Sequence, residues 1–352
     1  TIVIIDTGID DGHEAFGDRI VYQYDFADKD SDADDVGPDA SHGTHVAGIA
    51  AGNSSSLKGI ASGANIISLK VFTSDVYKNF NAVEDALSWC AKNVEEYNIA
   101  SINLSLSYSD LTRNSDTRWK FSDEIDSITS AGAMVVVAAG NDFFGLNSEQ
   151  QLSYPAVEPN AFSVGSVYTG DRGGLAFGNG AIDNSTGVDH IAAMSQRSTE
   201  ILDIFAPGGQ VYSSTPGNNY AWYSGTSMAA PQVAGFVAVA QQAAVEILGR
   251  KLTVDELSTL FTSTADIIFD GDDEDDNVVN TEASYPRINF NASLTALEAM
   301  KATAGLVVEV GSENIANKNF GFSNVTEFLA TANNDTIYGT KGSDVLTTLA
   351  GD

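Results

Sequence analysis

Continuous apolar runs, each bounded by polar or glycine-containing segments, recur along the chain. Six of them have the length of a strand: Ile2–Ile5, Ile66–Phe72, Ile102–Leu106, Met134–Ala138, Ala161–Val167 and Ile201–Phe205. Several are apolar on both faces rather than at every second position, which is typical of strands in a parallel sheet covered on both sides. We therefore predict a mostly parallel sheet at the centre of the fold.

Between these strands, apolar residues recur at the spacing of helices. The predicted helices are His42–Ala51, Phe80–Val94, Arg118–Ser130, Thr226–Leu248 and Val254–Phe261, the last with Thr253 and Asp255 as capping signals. Strands that alternate with helices indicate an α/β class, here with helices on both faces of the sheet. In such sheets ligands bind beyond the carboxyl ends of the strands, where Asp6 and Asn141 fall.

Ser227 lies between a glycine turn at Gly225 and the apolar segment of the helix Thr226–Leu248. This helix is apolar nearly all round, which indicates that it is buried inside a large domain. Its N-terminus carries unpaired N–H groups and a partial positive charge, which favour an oxyanion beside Ser227. A lone serine at this position is more often a helix N-cap than a nucleophile, so the other motifs decide its interpretation.

The Ser227 motif is preceded by two further motifs, and a fourth segment lies between the second of these and Ser227. Asp6 ends the first strand, and His42 opens a segment of small residues that suits a helix packed tightly on a sheet. Ala138–Asn141 follows before Ser227. Asp, His and Ser in this order are the catalytic triad of subtilisin. On these four ordered segments the chain resembles the subtilases, the family of subtilisin-like serine proteases.

The resemblance implies a role for each motif residue. Ser227 is expected to attack a peptide carbonyl, His42 to take the serine proton and pass it to the leaving amine, and Asp6 to orient and stabilise the imidazolium. Asn141 is expected to donate its side-chain amide to the oxyanion. By the family pattern the first histidine of His-Gly-Thr-His is catalytic, so His45 is predicted to be a buried structural residue with a hydrogen-bond partner.

The substrate is expected to lie as an extended strand along Ser105, Leu106 and Ser107, bound by main-chain hydrogen bonds. The family most often has a glycine at the position of Ser107. The serine side chain would narrow the pockets that bind the substrate residues before the scissile bond. The walls of the primary specificity pocket are expected from Ala138, Ala139, Gly140 and Asn141, together with the loop through Ser153. Asp142 either favours a basic side chain in this pocket or is one more exposed acid, and the specificity stays open.

The chain is strongly acidic, and this limits its partners. Its 352 residues carry 48 acidic and 17 basic side chains, a net charge of -31, which argues against nucleic acids and anionic membranes as partners. It has one cysteine, Cys90, so an internal disulfide is excluded and Cys90 is expected in the core. The sequence has no run of eighteen or more apolar residues, so it predicts no membrane span.

Calcium is the expected cofactor, in a structural role, and no organic cofactor is expected. Asp28, Asp30, Asp32 and Asp34 recur at every second position before the His42 motif, and several carboxylates on one short loop suit this oxygen-seeking cation. Subtilases commonly bind structural calcium, which adds to this expectation. A second acidic run, Asp270–Asp276, is less regular and is interpreted as a solvated charge cluster.

The composition changes near residue 304. We predict a catalytic domain over 1–303, a short β-rich connector over 304–330 and incomplete calcium-binding repeats of the RTX β-roll type over 331–352. This prediction depends on a nine-residue period, which makes Asp335 and Asp344 candidate calcium ligands. The last residues stop just before the next repeat is due, so we expect the natural protein to continue, and a tail this short to be poorly ordered.

The resemblance also implies segments before residue 1. Subtilases carry an export signal and a cleaved pro-segment, so the chain is expected to be truncated at its N-terminus and to come from a secreted protein of bacterial type. The predicted function is that of a monomeric serine endopeptidase acting on polypeptides. The alternative is a catalytically silent calcium-binding or adhesive protein on a subtilase scaffold, which would be indicated by a damaged triad; none of the motif residues is replaced.

Overall fold

A computed structural model describes residues 1–36, 40–72, 76–108, 121–271 and 275–304, together with the short strands 327–330 and 345–348. The chain divides into two compact units, Thr1–Leu297 and Glu298–Asp352. All four motifs lie in the first unit. The domain boundaries predicted from the sequence stay predictions.

The first unit is organised around one ten-stranded sheet. Its strands, numbered along the chain, are β1 (Ile2–Asp6), β2 (Ile20–Asp25), β3 (Ile66–Lys70), β4 (Ser101–Leu104), β5 (Met134–Ala138), β6 (Ala161–Thr169), β9 (Val188–Ile191), β10 (Ile204–Pro207), β13 (Asp266–Asp270) and β14 (Ala283–Arg287). They are ordered β13-β14-β10-β6-β5-β4-β1-β3-β2, and β9 pairs with β6. All neighbours along this order are parallel except β13 and β14, and β9 is antiparallel to β6.

Two short hairpins lie outside this sheet. The strands β7 (Leu175–Ala176) and β8 (Ile182–Asp183) form one, and β11 (Val211–Thr215) and β12 (Asn219–Tyr223) form the other. The second hairpin leads directly into the helix that carries Ser227. In the second unit, β15 (Glu327–Ala330) pairs in parallel with β16 (Val345–Thr348).

Helices cover both faces of the sheet, as the sequence predicts. They are α1 (His42–Ala51), α2 (Val76–Asn93), α3 (Ser122–Ser130), α4 (Thr226–Leu248), α5 (Val254–Ser263) and α6 (Phe290–Ala304). Alternate residues of β1 point to opposite faces. Ile2 and Ile4 lie in one buried cluster with α1 and α4, whereas Val3 and Ile5 lie in a second one with α2 and α3. The strand β1 is therefore buried on both of its faces, which explains its unbroken apolar run.

The helix α4 is the one described helix whose length and composition would also suit a membrane span. Two thirds of its most apolar window, 67%, is buried inside the protein, and it contacts β4, β5, β6 and α1. Its apolar surface is therefore used for packing around the sheet. This is the buried helix that the sequence predicts.

Most predicted elements are present, with small shifts at their ends. The bounds of α1 and α4 agree with the prediction, while β3 ends at Lys70, β4 ends at Leu104 and β10 begins only at Ile204. Cys90 is fully buried among the side chains of α2 and α3, as predicted, and burial raises the pKa of its thiol. The capping box of α5 joins Thr253 to Glu256.

The acidic run Asp270–Asp276 corrects one expectation. Asp270 is fully buried rather than solvated, and its carboxylate pairs with the equally buried Arg197. It also accepts hydrogen bonds from the backbone and hydroxyl of Thr281. A charge pattern alone predicted exposure, but a buried arginine far away in the sequence compensates the carboxylate.

Candidate active site

Asp6 and His42 meet at the carboxyl end of β1. The Nδ1 atom of His42 lies 2.7 Å from Oδ1 of Asp6, and Asp6 is almost completely buried whereas His42 is 32% exposed. The Asp6 carboxylate also accepts the backbone N–H of Thr7 at 2.8 Å. A carboxylate on Nδ1 favours the tautomer with its proton there, so Nε2 is left as the basic nitrogen.

A second buried carboxylate, Asp35, holds the two motifs together. Its Oδ1 accepts the hydroxyl of Thr7 at 2.8 Å, and its Oδ2 accepts both the backbone N–H and the hydroxyl of Thr44, at 3.0 and 2.6 Å. The Thr7 hydroxyl in turn accepts the backbone N–H of Gly43 at 2.8 Å. The loop after β1 and the first turn of α1 are thus fixed to one another. Asp35 was not predicted from the sequence, because no local pattern distinguishes it from the surrounding acidic residues.

Gly43 itself must be a glycine. A Cβ at this position would overlap the backbone carbonyl oxygen of Gly8. The absence of a side chain lets the start of α1 approach the loop after β1 closely. This contact explains the glycine directly after His42.

Ser227 is the second residue of α4, so it lies in the helix's first turn. Its hydroxyl is 3.3 Å from the backbone oxygen of Ser105, and the Ser105 hydroxyl donates back to the backbone oxygen of Ser227 at 2.8 Å. Four residues after Ser227 is Pro231, which has no N–H to give to the Ser227 carbonyl. Ser105 supplies the donor that the helix lacks there.

Asn141 is fixed at both its side chain and its main chain. Its Oδ1 accepts the backbone N–H and the hydroxyl of Thr226, each at 2.9 Å. Its main-chain oxygen accepts the side-chain amide of Asn179. Because Oδ1 is occupied, the amide nitrogen Nδ2 is the group that is left to act as a donor. It neighbours the turn at Gly225, two residues before Ser227.

A pocket of about 310 Å³ opens beside Asn141. It is lined by Ser107, Asn141, Asp142, Ser153, Phe177, Gly178, Asn179, Met194, Gln196 and Ser224. Among the described residues of this lining, Asp142 is the only charged one. A pocket next to the nucleophile and the amide donor has the position expected for binding a substrate side chain.

The predicted substrate residues take different places around this pocket. Ser107, Asn141 and Ser153 line it, whereas Leu106, Ala138 and Ala139 are buried in the core beneath. Ser105 is also buried, because its hydroxyl is used by Ser227. The main chain of residues 105–107 and the Ser107 side chain remain for an extended substrate, and that role stays a prediction.

Gly140 packs against Gln196, which lines the pocket. Gly140 has a φ of 111°, and a Cβ there would overlap Oε1 of Gln196. The Gln196 backbone N–H donates to the Gly140 oxygen at 2.9 Å, and its Oε1 accepts the hydroxyl of Ser153 at 2.5 Å. Gln196 and the segment Phe177–Asn179 were not predicted from the sequence, because no local pattern connects them to the motifs.

His45 is buried and structural, as predicted. Its Nε2 lies 3.1 Å from the backbone oxygen of Ala221, and its ring stacks on Tyr223 with the centroids 4.3 Å apart. Burial lowers the pKa of His45 to about 4. The residue is therefore neutral at physiological pH and connects α1 to the hairpin before Ser227.

The loop with the predicted calcium ligands uses some of its carboxylates locally. The Asp30 side chain accepts the N–H of Asp32 at 2.9 Å, and the Asp32 side chain accepts that of Asp34 at 3.3 Å. Across the described part of the chain, no three His, Cys, Asp or Glu side chains form a group that could hold a metal ion. These residues therefore do not form a ready ligand set, and calcium binding stays a prediction. Asp335 and Asp344 lie outside the described residues.

Comparison with known proteins agrees with the motifs. The Peptidase_S8 profile, which describes the subtilase family, matches residues 1–322. A thermophilic serine proteinase of Bacillus sp. (strain AK1) is 32% identical over 241 residues, which cover 68% of this chain and 51% of that protein. Subtilisin-like protease 4 of Arthroderma gypseum is 34% identical over 238 residues, which cover 67% and 50%. The chain thus spans about half the length of these relatives.

Solved structures show the same fold. A cold adapted subtilisin-like serine proteinase matches with a TM-score of 0.58 and 30% identity, covering 75% of this chain and 81% of that one. A mutant of the protease domain of PatA matches with a TM-score of 0.63 over 85% and 95% of the two chains, at 20% identity. The profile match covers most of the sequence, and the motif residues lie near the carboxyl ends of the parallel strands. The chain belongs to the subtilase family.

Proposed function

We propose that this protein is a serine endopeptidase that uses Asp6, His42 and Ser227 as a catalytic triad. The observation that carries the proposal is the 2.7 Å contact between Asp6 and Nδ1 of His42, on a helix packed against α4, whose second residue is Ser227. Further support comes from the family and from relatives that are named as serine proteases.

In the first half of the reaction, Nε2 of His42 takes the proton of the Ser227 hydroxyl as its Oγ attacks the substrate carbonyl carbon. The buried Asp6 carboxylate stabilises the imidazolium that forms. The carbonyl oxygen becomes an oxyanion and receives a hydrogen bond from Nδ2 of Asn141. The C–N bond then breaks, the imidazolium gives its proton to the leaving amine, and an acyl-enzyme on Ser227 remains.

The second half repeats these steps with water. His42 takes a proton from a water molecule, the resulting hydroxide attacks the acyl carbon, and the Ser227 oxygen leaves with the proton that His42 returns. The carboxylic acid product is released and the enzyme is regenerated. Asn141 acts in both halves, because its Oδ1 is held by Thr226 while Nδ2 is free to donate.

The proposal is tested by covalent labelling with a fluorophosphonate, which reacts only with an activated serine. We expect the wild type to be labelled and Ser227→Ala and His42→Ala to be unlabelled, with circular dichroism showing that all three are folded. Ser213→Ala is a matched control, because this buried serine donates only to the backbone oxygen of His45. A folded but unlabelled wild type would refute the protease and favour the silent scaffold.

We also propose that calcium stabilises the protein and that the protein is exported, as the resemblance implies. The support for calcium is the spacing of Asp28, Asp30, Asp32 and Asp34, and its test is thermal melting with calcium or with a chelator. Unchanged melting in both buffers would contradict it. Export is tested by fractionating cells that produce the full-length protein, and recovery from the cytoplasm alone would contradict it.

A further inference from the structure

The hairpin β7–β8 lies beside the pocket next to Asn141, and the catalytic motifs do not explain why it is there. Its tip residues Phe177, Gly178 and Asn179 all line this pocket. On the proposed function, the pocket receives the substrate side chain just before the scissile bond. We propose that this hairpin forms the outer wall of that pocket, with Phe177 determining specificity and Asn179 positioning Asn141.

The tip of the hairpin is held in one conformation by its own hydrogen bonds. The N–H of Phe177 donates to the oxygen of Ala181 at 2.8 Å, and that of Gly180 donates to the oxygen of Phe177 at 3.0 Å. Gly180 has a φ of 94°, and a Cβ there would come within 2.8 Å of the Phe144 ring. The tip is therefore a tight turn packed on a neighbouring ring.

Asn179 joins this tip to the catalytic apparatus with both ends of its side chain. Its Oδ1 accepts the N–H of Ala181 at 3.1 Å, while its Nδ2 donates to the main-chain oxygen of Asn141. Since Thr226 holds the Asn141 side chain, Asn179 supplies the second fixed point of this residue. Asn179 thus acts through Asn141 rather than on the substrate.

The hairpin packs on a small apolar cluster and is joined to it by a buried hydrogen bond. Phe177 and Leu175 pack on a small apolar cluster that includes Tyr168 and Met194, and Met194 also lines the pocket. Asp183, at the end of β8, is buried and accepts the hydroxyl of Tyr168 at 2.5 Å. The wall is therefore connected to the core of the first unit.

A distant segment borders the other side of β8. The N–H of Asn277 donates to the oxygen of Ile182 at 3.0 Å, and its side chain accepts the N–H of Ile182 at 2.8 Å and donates to Gly180 at 3.0 Å. The N–H of Asn184 donates to the oxygen of Asp275 at 2.6 Å. With support on both sides, the hairpin has the contacts of a fixed wall.

The wall also indicates which side chains the pocket takes. Phe177 and Met194 add apolar surface on one side, and a volume of about 310 Å³ leaves room for an aromatic or long aliphatic side chain. A small side chain such as alanine offers little apolar surface for contact with Phe177. We therefore assign to the pocket substrates with a large side chain before the scissile bond.

The experiment measures kcat and KM with peptides that differ only in this side chain, Phe, Leu or Ala, with enzyme concentrations set by active-site titration. For Phe177→Ala we expect about a tenfold loss of kcat/KM for Phe and Leu, because apolar contact is lost, and less than a twofold change for Ala. A loss that is equal for all three peptides, or no loss, would overturn the specificity role.

Asn179→Asp tests the positioning role. This variant keeps the oxygen that accepts the N–H of Ala181, but it loses the donor to Asn141. We expect kcat to fall about tenfold for all three peptides with KM little changed, because the oxyanion donor acts mainly in the transition state. Asn160→Asp is the control, because Asn160 bonds only Asp126 on the surface before β6. A kcat for Asn179→Asp like that of the control would overturn the role.

A binding measurement separates this proposal from the proposed function. In the Ser227→Ala background, calorimetry with the same peptides reports the preference of the pocket without turnover. We expect Phe and Leu peptides to bind more tightly than the Ala peptide, and Phe177→Ala to remove the difference. Absence of fluorophosphonate labelling would refute the catalytic proposal, whereas absence of this preference would refute the wall.

Discussion

Asn141 is the residue at which three independent parts of the chain meet. Thr226 holds its side-chain oxygen, Asn179 holds its main-chain oxygen, and Gly140 before it adopts a positive φ against Gln196. These contacts fix the orientation of the side-chain amide and leave the two N–H bonds of Nδ2 as its donors. A donor that is fixed before the reaction needs no reorganisation when the oxyanion forms, and this is the physical basis of its effect on rate.

We predict that Asn141→Ala lowers kcat by roughly 10²- to 10³-fold with a small change in KM, the magnitude found for the equivalent donor in subtilisin. The measurement is steady-state hydrolysis of a chromogenic peptide. Asn147→Ala is the control, since Asn147 is a neighbouring turn residue outside the pocket lining. A variant with wild-type kcat would show that Asn141 does not serve the oxyanion.

Asp276 carries the clearest prediction for pH. Burial raises its pKa from 3.8 to about 6; Asp183 and Asp270 also raise this pKa, while a backbone hydrogen bond and Arg197 lower it. Because the pKa of this carboxyl group is higher in the folded than in the unfolded state, protonation of Asp276 stabilises the folded state. Its contribution to stability is therefore present below about pH 4 and lost as the pH rises through about 6.

We expect Asp276→Asn to melt like the wild type near pH 4 and at a higher temperature than the wild type at pH 7. Scanning calorimetry between these pH values measures the difference. Asp171→Asn is the matched control, because Asp171 is exposed and caps a turn that asparagine also caps. A difference between Asp276→Asn and wild type that stays constant with pH would contradict the prediction.

At the scale of elements, the start of α4 shows how a proline within a helix is accommodated at the site. Pro231 has no N–H for the carbonyl of Ser227, and the Ser105 hydroxyl replaces it at 2.8 Å. The side-chain amide of Asn103 donates to the same hydroxyl at 2.8 Å. The end of β4 is thereby joined to the helix turn that carries the nucleophile.

We predict that Ser105→Ala destabilises the fold by about 1–3 kcal/mol, because a buried carbonyl and a buried amide lose their partner. Adding Pro231→Ala restores an N–H for the Ser227 carbonyl, so the double variant should lose less stability than the sum of the single ones. Urea unfolding measures these free energies.

Ser101→Ala is the control for this cycle. Its buried hydroxyl donates to the carbonyl of Ala234, a position inside α4 that the helix can satisfy with its own N–H. We therefore expect a smaller loss of stability for Ser101→Ala than for Ser105→Ala. Equal losses, together with additive effects of Ser105→Ala and Pro231→Ala, would show that the proline is not the reason for the Ser105 contact.

The elements that the sequence predicted well are those with long apolar runs. Both ends of α1 and α4 were predicted, because each helix follows a short motif at its start and small or apolar residues recur until a glycine ends it, Gly52 for α1 and Gly249 for α4. The hairpin β7–β8 was missed, because each strand has two residues and its pairing depends on a segment more than ninety residues away. The β11–β12 hairpin was missed because its buried positions include Ser213 and Ser214, which hide the apolar pattern.

The same distinction applies to the site. Asp6, His42, Asn141 and Ser227 stand in short motifs, so the sequence alone indicated them. Residues that matter only through a distant partner carry no such signal, because a tertiary contact leaves no local pattern. Asp35, Asn179 and Gln196 belong to this second group.

For the whole molecule, the net charge of -31 creates a negative field around the site. We predict that raising the salt from low to about 0.5 M lowers kcat/KM several-fold for a basic peptide and raises it for an acidic one, because salt screens this field within a few ångströms. A neutral peptide of the same length is the control. Parallel salt effects on all three peptides would contradict electrostatic steering.

The position of the segment around Asn277 has a consequence for the order in which the protein is made. Ribosomes add roughly 5–20 residues per second, so Asp6, His42 and Ser227 emerge seconds before the segment that borders β8. We expect a released chain that ends at Leu248 to contain the triad residues but to remain unlabelled by a fluorophosphonate, because it lacks β13 and β14 of the sheet as well as the segment around Asn277. A released chain that ends at Ala304 should be labelled. Synthesis itself would then delay proteolysis until the nucleophile is well clear of the ribosome, and labelling of the shorter chain would exclude such a delay.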